Sequence, residues 1–156
     1  MLFLNIHYLT TINNARKAYI LTAHINLRNI HVLLENTIIE IEENDDEQIQ
    51  YLLFNLHGEC IQLDDCIYGL EFLSNQKYSI THSFTFREFD NKINRILWEN
   101  EGENEKAIEK LSEYLEKVNN IIKKTGDASN VESAPDYSLS IKQFLEIMSD
   151  ALKELE

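Results

Sequence analysis

The scarcity of glycine and proline constrains the fold of this chain more than any other feature. Only four glycines and one proline occur among 156 residues, whereas average usage would give about eighteen of the two together. Tight turns depend on the backbone angles that these residues adopt, so we expect few turns and long elements. A codon bias toward asparagine, isoleucine, lysine and glutamate is the alternative explanation, because asparagine can also serve in turns.

Apolar side chains recur at helical spacing between residues 20 and 41. One stripe, in steps of three and four residues, contains Ile20, Ala23, Leu27, Ile30, Leu34, Ile38 and Ile41. A second stripe on the opposite side contains Leu21, Ile25, Val32 and Ile39. Because polar arcs separate the two stripes, we expect this helix to be buried on two faces, in the middle of a bundle. A strand is disfavoured because the alternation of apolar and polar residues changes phase at Arg28 and Asn29.

The next segment shows the same double pattern. Asp45 is a candidate N-cap for a helix of nearly thirty residues that begins at Asp46. The first stripe contains Ile49, Leu52, Leu56, Cys60, Leu63, Ile67 and Leu70. The second contains Tyr51, Phe54, Gly58, Ile61, Asp65, Tyr68 and Phe72. Both stripes pass Gly58 in phase, so one helix with two buried faces is expected, in which Gly58 and Gly69 permit close helix contact.

Residues 76–90 are ambiguous between strand and helix. Apolar and polar residues alternate from Tyr78 to Phe86, which is typical of a strand, but a lone strand has no partner in a helical chain. We therefore expect a connection over residues 75–82 and a helix that starts near Ser83. Its inner face is predicted to contain Phe86, Phe89, Ile93 and Ile96 or Leu97, closed by Trp98.

The remainder of the chain contains two further amphipathic helices. Residues 99–105 are predicted to be an acidic loop or a frayed helix. The helix that follows has the inner residues Ala107, Ile108, Leu111, Tyr114, Leu115, Val118, Ile121 and Ile122 and ends at Gly126. After a linker, Ser140 can cap a last helix with the inner residues Ile141, Phe144, Leu145, Met148, Leu152 and Leu155.

These patterns predict an all-α fold, an up-down bundle of four or more long amphipathic helices. The bundle core is expected to span residues 1–124 and the linker residues 125–139. The C-terminal helix, residues 140–156, is expected to pack on the same domain. A chain of this length can bury a core without disulfides or metals.

Few residues suggest chemistry. One polar arc of the first helix holds His24, Arg28, His31, Glu35 and Glu42, and with His57 or Asp64 it could bind a metal. We expect instead a solvated groove of hydrogen bonds, and a metal-binding bundle remains an alternative function. Cys60 lies on an apolar stripe, and Cys66 follows two aspartates that raise a thiol pKa. No catalytic residue, metal or cofactor is therefore predicted, and the protein is not expected to be an enzyme.

Charge is distributed unevenly along the chain. Residues 1–34 contain no acid, only Arg16, Lys17 and Arg28, whereas the whole chain carries a net charge of −13. Two runs of acids are the predicted partner-binding residues: Glu35, Glu40, Glu42, Glu43, Asp45, Asp46 and Glu47, and then Glu99, Glu101, Glu103 and Glu105. The first run lies at the tip between the first two helices. The second lies at the opposite end or along a side, depending on where the third helix breaks.

A chain this acidic repels nucleic acid and anionic membranes and favours a basic protein partner. Its two cysteines form no disulfide framework, which is typical of a cytoplasmic protein. We therefore expect a non-catalytic binding protein, an inhibitor or immunity-type protein that engages a basic toxin or defence nuclease. The alternative is a structural or adaptor subunit that forms a homo-oligomer through apolar helix faces.

Overall fold

The protein folds as a bundle of α-helices in a computed structural model, which describes residues 2–74, 85–126 and 134–156. The described helices are α1 (Leu2–Glu43), α2 (Asp46–Ser74), α3 (Phe86–Glu99), α4 (Asn104–Thr125) and α5 (Ile141–Leu155). Within these described ranges no strand forms, and β-type pairing is limited to an isolated bridge between Gly126 and Pro135. The predicted all-α bundle is confirmed.

Helix α1 packs antiparallel along α2 and also contacts α4, while α3 and α5 each contact both α2 and α4. The antiparallel register of α1 and α2 is visible at two points. Asn29 Nδ2 donates to Glu59 Oε1 at 3.1 Å, and the Tyr19 ring lies over Gly69. The carboxyl end of α5 reaches α3, because Lys92 Nζ donates to the carbonyl oxygen of Leu155 at 3.3 Å.

The first stripes predicted for all five helices meet in a single core. Its fully buried large residues include Phe86, Phe89, Phe144, Ile20, Leu27, Ile30, Leu34, Leu56, Leu63, Leu70, Ile93 and Leu111. Ile38, Ile49 and Ile141 pack at its edge and are partly buried. The three-and-four spacing of apolar residues therefore identified the inner face of each helix correctly.

The second stripes are not buried, so the prediction of two buried faces for α1 and α2 is wrong. The side chain of Val32 is 47% exposed and that of Phe54 is 76% exposed. The remaining large exposed side chains of these stripes are Leu21, Ile25, Ile39, Tyr51, Tyr68 and Phe72. Two of the five described helices are short, so no described helix is enclosed on all sides by the others. The side of α1 or α2 that faces away from the core therefore meets solvent.

Helix ends follow the predicted caps, with one shift. Asp45 Oδ1 accepts a hydrogen bond from the Gln48 amide at 3.0 Å, and Ser140 forms a capping box with Gln143. Helix α3 begins at Phe86 rather than near Ser83, and Thr85 caps it together with Glu88. Residues 75–84, which include the predicted start and the connection, lie outside the described residues.

Trp98 was predicted to close the inner face of α3. This prediction is wrong, because the Trp98 side chain is 78% exposed.

The chain turns over Asn100–Glu103, where Gly102 adopts a φ of 79°, a left-handed conformation that favours glycine. Helix α4 ends at Thr125, whose carbonyl oxygen accepts a hydrogen bond from the Asp136 amide at 3.0 Å. Of the predicted linker, residues 127–133 lie outside the described residues.

The two glycines of α2 provide a matched test of helix packing. An added Cβ at Gly58 meets nothing within 4 Å, whereas one at Gly69 would lie 2.6 Å from the Tyr19 ring. Close helix contact therefore occurs at Gly69 and not at Gly58. Gly58→Ala is expected to raise the free energy of unfolding by about 1 kcal/mol, the helix-propensity gain. Gly69→Ala should gain less or destabilise, and equal gains in urea denaturation would contradict the close contact.

Candidate functional site

The polar arc of α1 does not assemble a metal site. His24 is buried and its Nδ1 lies 3.2 Å from Thr125 Oγ1. His31 is half-buried, and burial lowers its pKa although the Glu35 carboxylate acts to raise it. Glu35 and Glu42 are exposed to solvent. No three His, Cys, Asp or Glu side chains come together as metal ligands within residues 2–74, 85–126 and 134–156.

His57 and Asp64, the two candidate ligands on α2, instead hold α3. His57 Nδ1 lies 2.7 Å from Oδ2 of the buried Asp90. The Asp64 carboxylate accepts hydrogen bonds from the amides of Phe86 and Arg87, at 3.0 and 3.2 Å. Burial raises the pKa of Asp64, and these hydrogen bonds offset part of that shift. Both side chains therefore have structural partners.

Neither cysteine offers a nucleophile at neutral pH. Burial, reinforced by nearby carboxylates of which Asp90 is the strongest, raises the pKa of the Cys60 thiol well above its ordinary value. Burial and the Asp65 carboxylate raise the pKa of Cys66 to about 11. Both thiols are free and buried. The burial of Cys60 was predicted from its position on an apolar stripe, whereas that of Cys66 was not predicted.

The two acidic runs lie at the same end of the bundle, where the α1–α2 turn meets the α3–α4 turn. The prediction that they lie at opposite ends or along a side is therefore wrong, because α3 returns the chain to the end where α1 stops. Asn104, the first residue of α4, connects the two turns. Its Nδ2 donates to the Ile41 carbonyl oxygen at 3.0 Å and to Asn44 Oδ1 at 2.8 Å. The acids here define an acidic pole: Glu40, Glu42, Glu43, Asp45, Asp46, Glu47, Glu99, Glu101, Glu103 and Glu105. Glu35 precedes these residues in α1 and is not part of the pole.

The carboxylates of the acidic pole are largely unneutralised. Apart from Glu40, which is partly buried, all are exposed. In the part of the chain that the structure describes, only Glu103 forms an ion pair with a base, Lys106. Because like charges this close repel one another, the pole has a negative potential that a cationic surface would relieve.

Three exposed aromatic side chains border the acidic pole. Tyr51 and Phe54 lie in the first turns of α2, and Trp98 lies in the last turn of α3. Phe54 and Asn94 line one shallow depression of about 290 Å³ between α2 and α3, and Trp98 follows Asn94 by one helical turn. The end of the bundle therefore combines a negative field with large apolar rings.

Sequence reasoning missed these aromatic residues because it assigned them to the core. A signal against that assignment was present in the same stripe of α2, which includes Gly58 and Asp65. An ionised carboxylate and a gap without a side chain are both unfavourable in a packed apolar core. Their presence at stripe positions indicates a face in contact with solvent or with another molecule.

Comparison with known proteins gives no independent assignment: no protein-family model, curated protein or solved structure matches the chain. Among the described residues, no helix combines the length and apolar character needed to cross a membrane.

Proposed function

We propose that this protein is a non-catalytic binding protein whose acidic pole engages a basic protein partner. The observation that carries the proposal is the meeting of the two acidic turns, which Asn104 connects by hydrogen bonds to Ile41 and Asn44. Clustering the acids at one end concentrates their field, and a concentrated field accelerates association with a partner of opposite charge.

The aromatic residues beside the pole supply an apolar contact, which charge attraction alone does not provide. Protein interfaces have aromatic anchors at the centre and charged residues at the rim. Tyr51, Phe54 and Trp98 are exposed next to the carboxylates and fit the role of anchors. The expected partner therefore presents an apolar patch surrounded by lysine and arginine, as a basic catalytic cleft does. Blocking such a cleft is the work of an inhibitor or immunity-type protein, directed here at a toxin or defence nuclease.

The test compares two triple variants that remove equal charge from different places. Glu47, Glu99 and Glu101 lie at the pole, whereas Glu109, Glu113 and Glu116 lie on the exposed face of α4, about 6 to 17 Å along the helix from Glu105, the last acid of the pole. Each set is changed to glutamine and used as bait in a low-salt lysate of the source cell. We expect wild type and the α4 variant to retain the same basic protein, and the pole variant to lose it.

Salt and an aromatic substitution provide the second part of the test. Because charge attraction between exposed groups is screened over about 8 Å at physiological ionic strength, high salt should release the captured protein. Trp98→Ala should weaken capture without altering its dependence on salt. If the pole and α4 variants capture the same protein equally well, the pole is not the binding surface.

A further inference from the structure

The outward face of α1 carries a second interaction surface, which meets the acidic pole at Glu42. Its residues define an outer seam: Leu21, Ile25, Arg28, Val32, Glu35 and Ile39. The apolar members are 37–47% exposed. The spacing between successive members alternates between four and three residues, as in the seam of a coiled coil, and Ile25, Val32 and Ile39 occupy the same heptad position.

The spacings between residues of the outer seam are the same in both directions along the helix. Its spacings of four, three, four, three and four residues are symmetric about residue 30. A two-fold axis that pairs a helix with an antiparallel copy of itself needs this property, because each contact must occur twice. With the axis at residue 30, Leu21 lies opposite Ile39 of the second copy, and Arg28 lies opposite Val32 of the second copy.

We propose that the protein forms an antiparallel homodimer through the outer seam of α1. At about 100° per residue, Lys17 and Arg28 lie on the same flank of α1 as Glu35 and Glu42. The proposed two-fold axis places this flank on the same side of both helices. Lys17 then faces Glu42 of the second copy, and Arg28 lies about 4.5 Å from Glu35 of the second copy, measured along the helix axis.

The four charged residues are free to make these contacts. In the described part of the chain, none of Lys17, Arg28, Glu35 and Glu42 forms an ion pair within its own subunit. The pairing also uses the unusual charge distribution of the sequence. It sets the acid-free half of each α1 against the acid-bearing half of the other, whereas a parallel pair would bring like charges together.

The outer stripe of α2 does not suit a second copy. The only charged member of this stripe, Asp65, already lies 3.6 Å from Arg87 of its own subunit. Because α2 also contains no lysine or arginine, the stripe offers a second copy no complementary charge. The choice between the exposed faces is therefore decided by charge. In the proposed dimer the two acidic poles lie at opposite ends of the paired helices, and Glu42 is the pole residue that contacts the second copy.

The first test is the mass of the purified chain in sedimentation equilibrium. We expect a species of twice the 18.3 kDa chain mass. Arg28→Glu and Glu35→Arg should each raise the dissociation constant by about tenfold, since each changes two symmetric contacts, and the double variant should restore it. Arg95→Glu, at an exposed position of α3, makes the same charge change elsewhere and should leave the dimer intact.

The second test fixes the direction of the pairing. Leu21→Cys and Ile39→Cys are mixed and oxidised, with Cys60 and Cys66 buried. We expect a disulfide between the two variants and none within either alone, because residue 21 of the two copies would be about 27 Å apart along the axis. A monomeric wild type, unchanged association in both charge variants, or cross-linking of either single variant would each overturn the proposal.

Discussion

Replacing Phe89 with alanine is expected to lower the free energy of unfolding by about 3–5 kcal/mol, the range for a fully buried phenylalanine. Phe89 is inaccessible to solvent on the inner face of α3. Its ring packs edge-on to Phe86, with centroids 6.5 Å apart, and against Tyr114 of α4 at 5.6 Å. Its removal therefore leaves a cavity at the contact between α3 and α4. A domain of ordinary stability has only about 5–15 kcal/mol in total, so this loss is severe.

The matched control is Phe72→Ala, because Phe72 lies on the outer stripe of α2 and is 79% exposed. Urea denaturation followed by circular dichroism at 222 nm measures both variants. We expect a change below about 0.5 kcal/mol for the control. Similar losses at the two positions would show that the outer stripe of α2 is as well packed as the core, contrary to the fold described above.

The inner faces of the helices and several helix caps could be predicted because they depend on local signals. The inner stripe of each helix, with apolar residues at steps of three and four, faces the core as predicted. The caps at Asp45 and Ser140 are likewise local, since each side chain bonds a backbone amide three residues away. The start of α3 also has a local signal, the capping box of Thr85 and Glu88, which the placement of the start near Ser83 overlooked. A second contact at this start is not local, because the Asp64 carboxylate accepts hydrogen bonds from Phe86 and Arg87 across more than twenty residues.

The position of the acidic pole could be predicted only in part. The sequence places one acidic run between α1 and α2, but the location of the second run depends on whether the third helix breaks. Helix α3 runs unbroken from Phe86 to Glu99, so it returns the chain to the end where α1 stops. The hydrogen bonds of Asn104 then join the two turns. Asparagine is common in loops, and nothing in its sequence context marked this residue as a connector.

The outer stripes show what periodicity cannot decide. A helical stripe records that a face is apolar, and it does not record whether that face packs within the subunit or against another molecule. In α1 the deciding detail is charge: Arg28 and Glu35 interrupt the outer stripe, whereas the inner stripe has no charged member. A charged residue within an apolar stripe therefore indicates a face that lies outside the core of this chain.

A single pair of substitutions on α1 distinguishes its two faces. Leu34→Arg is expected to unfold the protein, because Leu34 is completely buried and an unpaired guanidinium group in the core costs several kcal/mol. Val32→Arg, two residues away, should leave the helical circular dichroism spectrum unchanged, because the new guanidinium group reaches solvent. The same substitution should abolish the dimer, since Val32 lies opposite Arg28 of the second copy and the four guanidinium groups near the two-fold axis would repel one another.

Unfolding of the Val32→Arg variant would be the informative outcome. If the variant unfolds and the midpoint of thermal unfolding of the wild type does not depend on protein concentration, the outer seam is buried within one subunit and the separation into inner and outer faces is wrong. If wild-type stability rises with concentration while the variant is unfolded throughout, folding and dimerisation are coupled. The exposed seam of the isolated chain would then be the core of an obligate dimer, with the apolar character of both stripes maintained for stability.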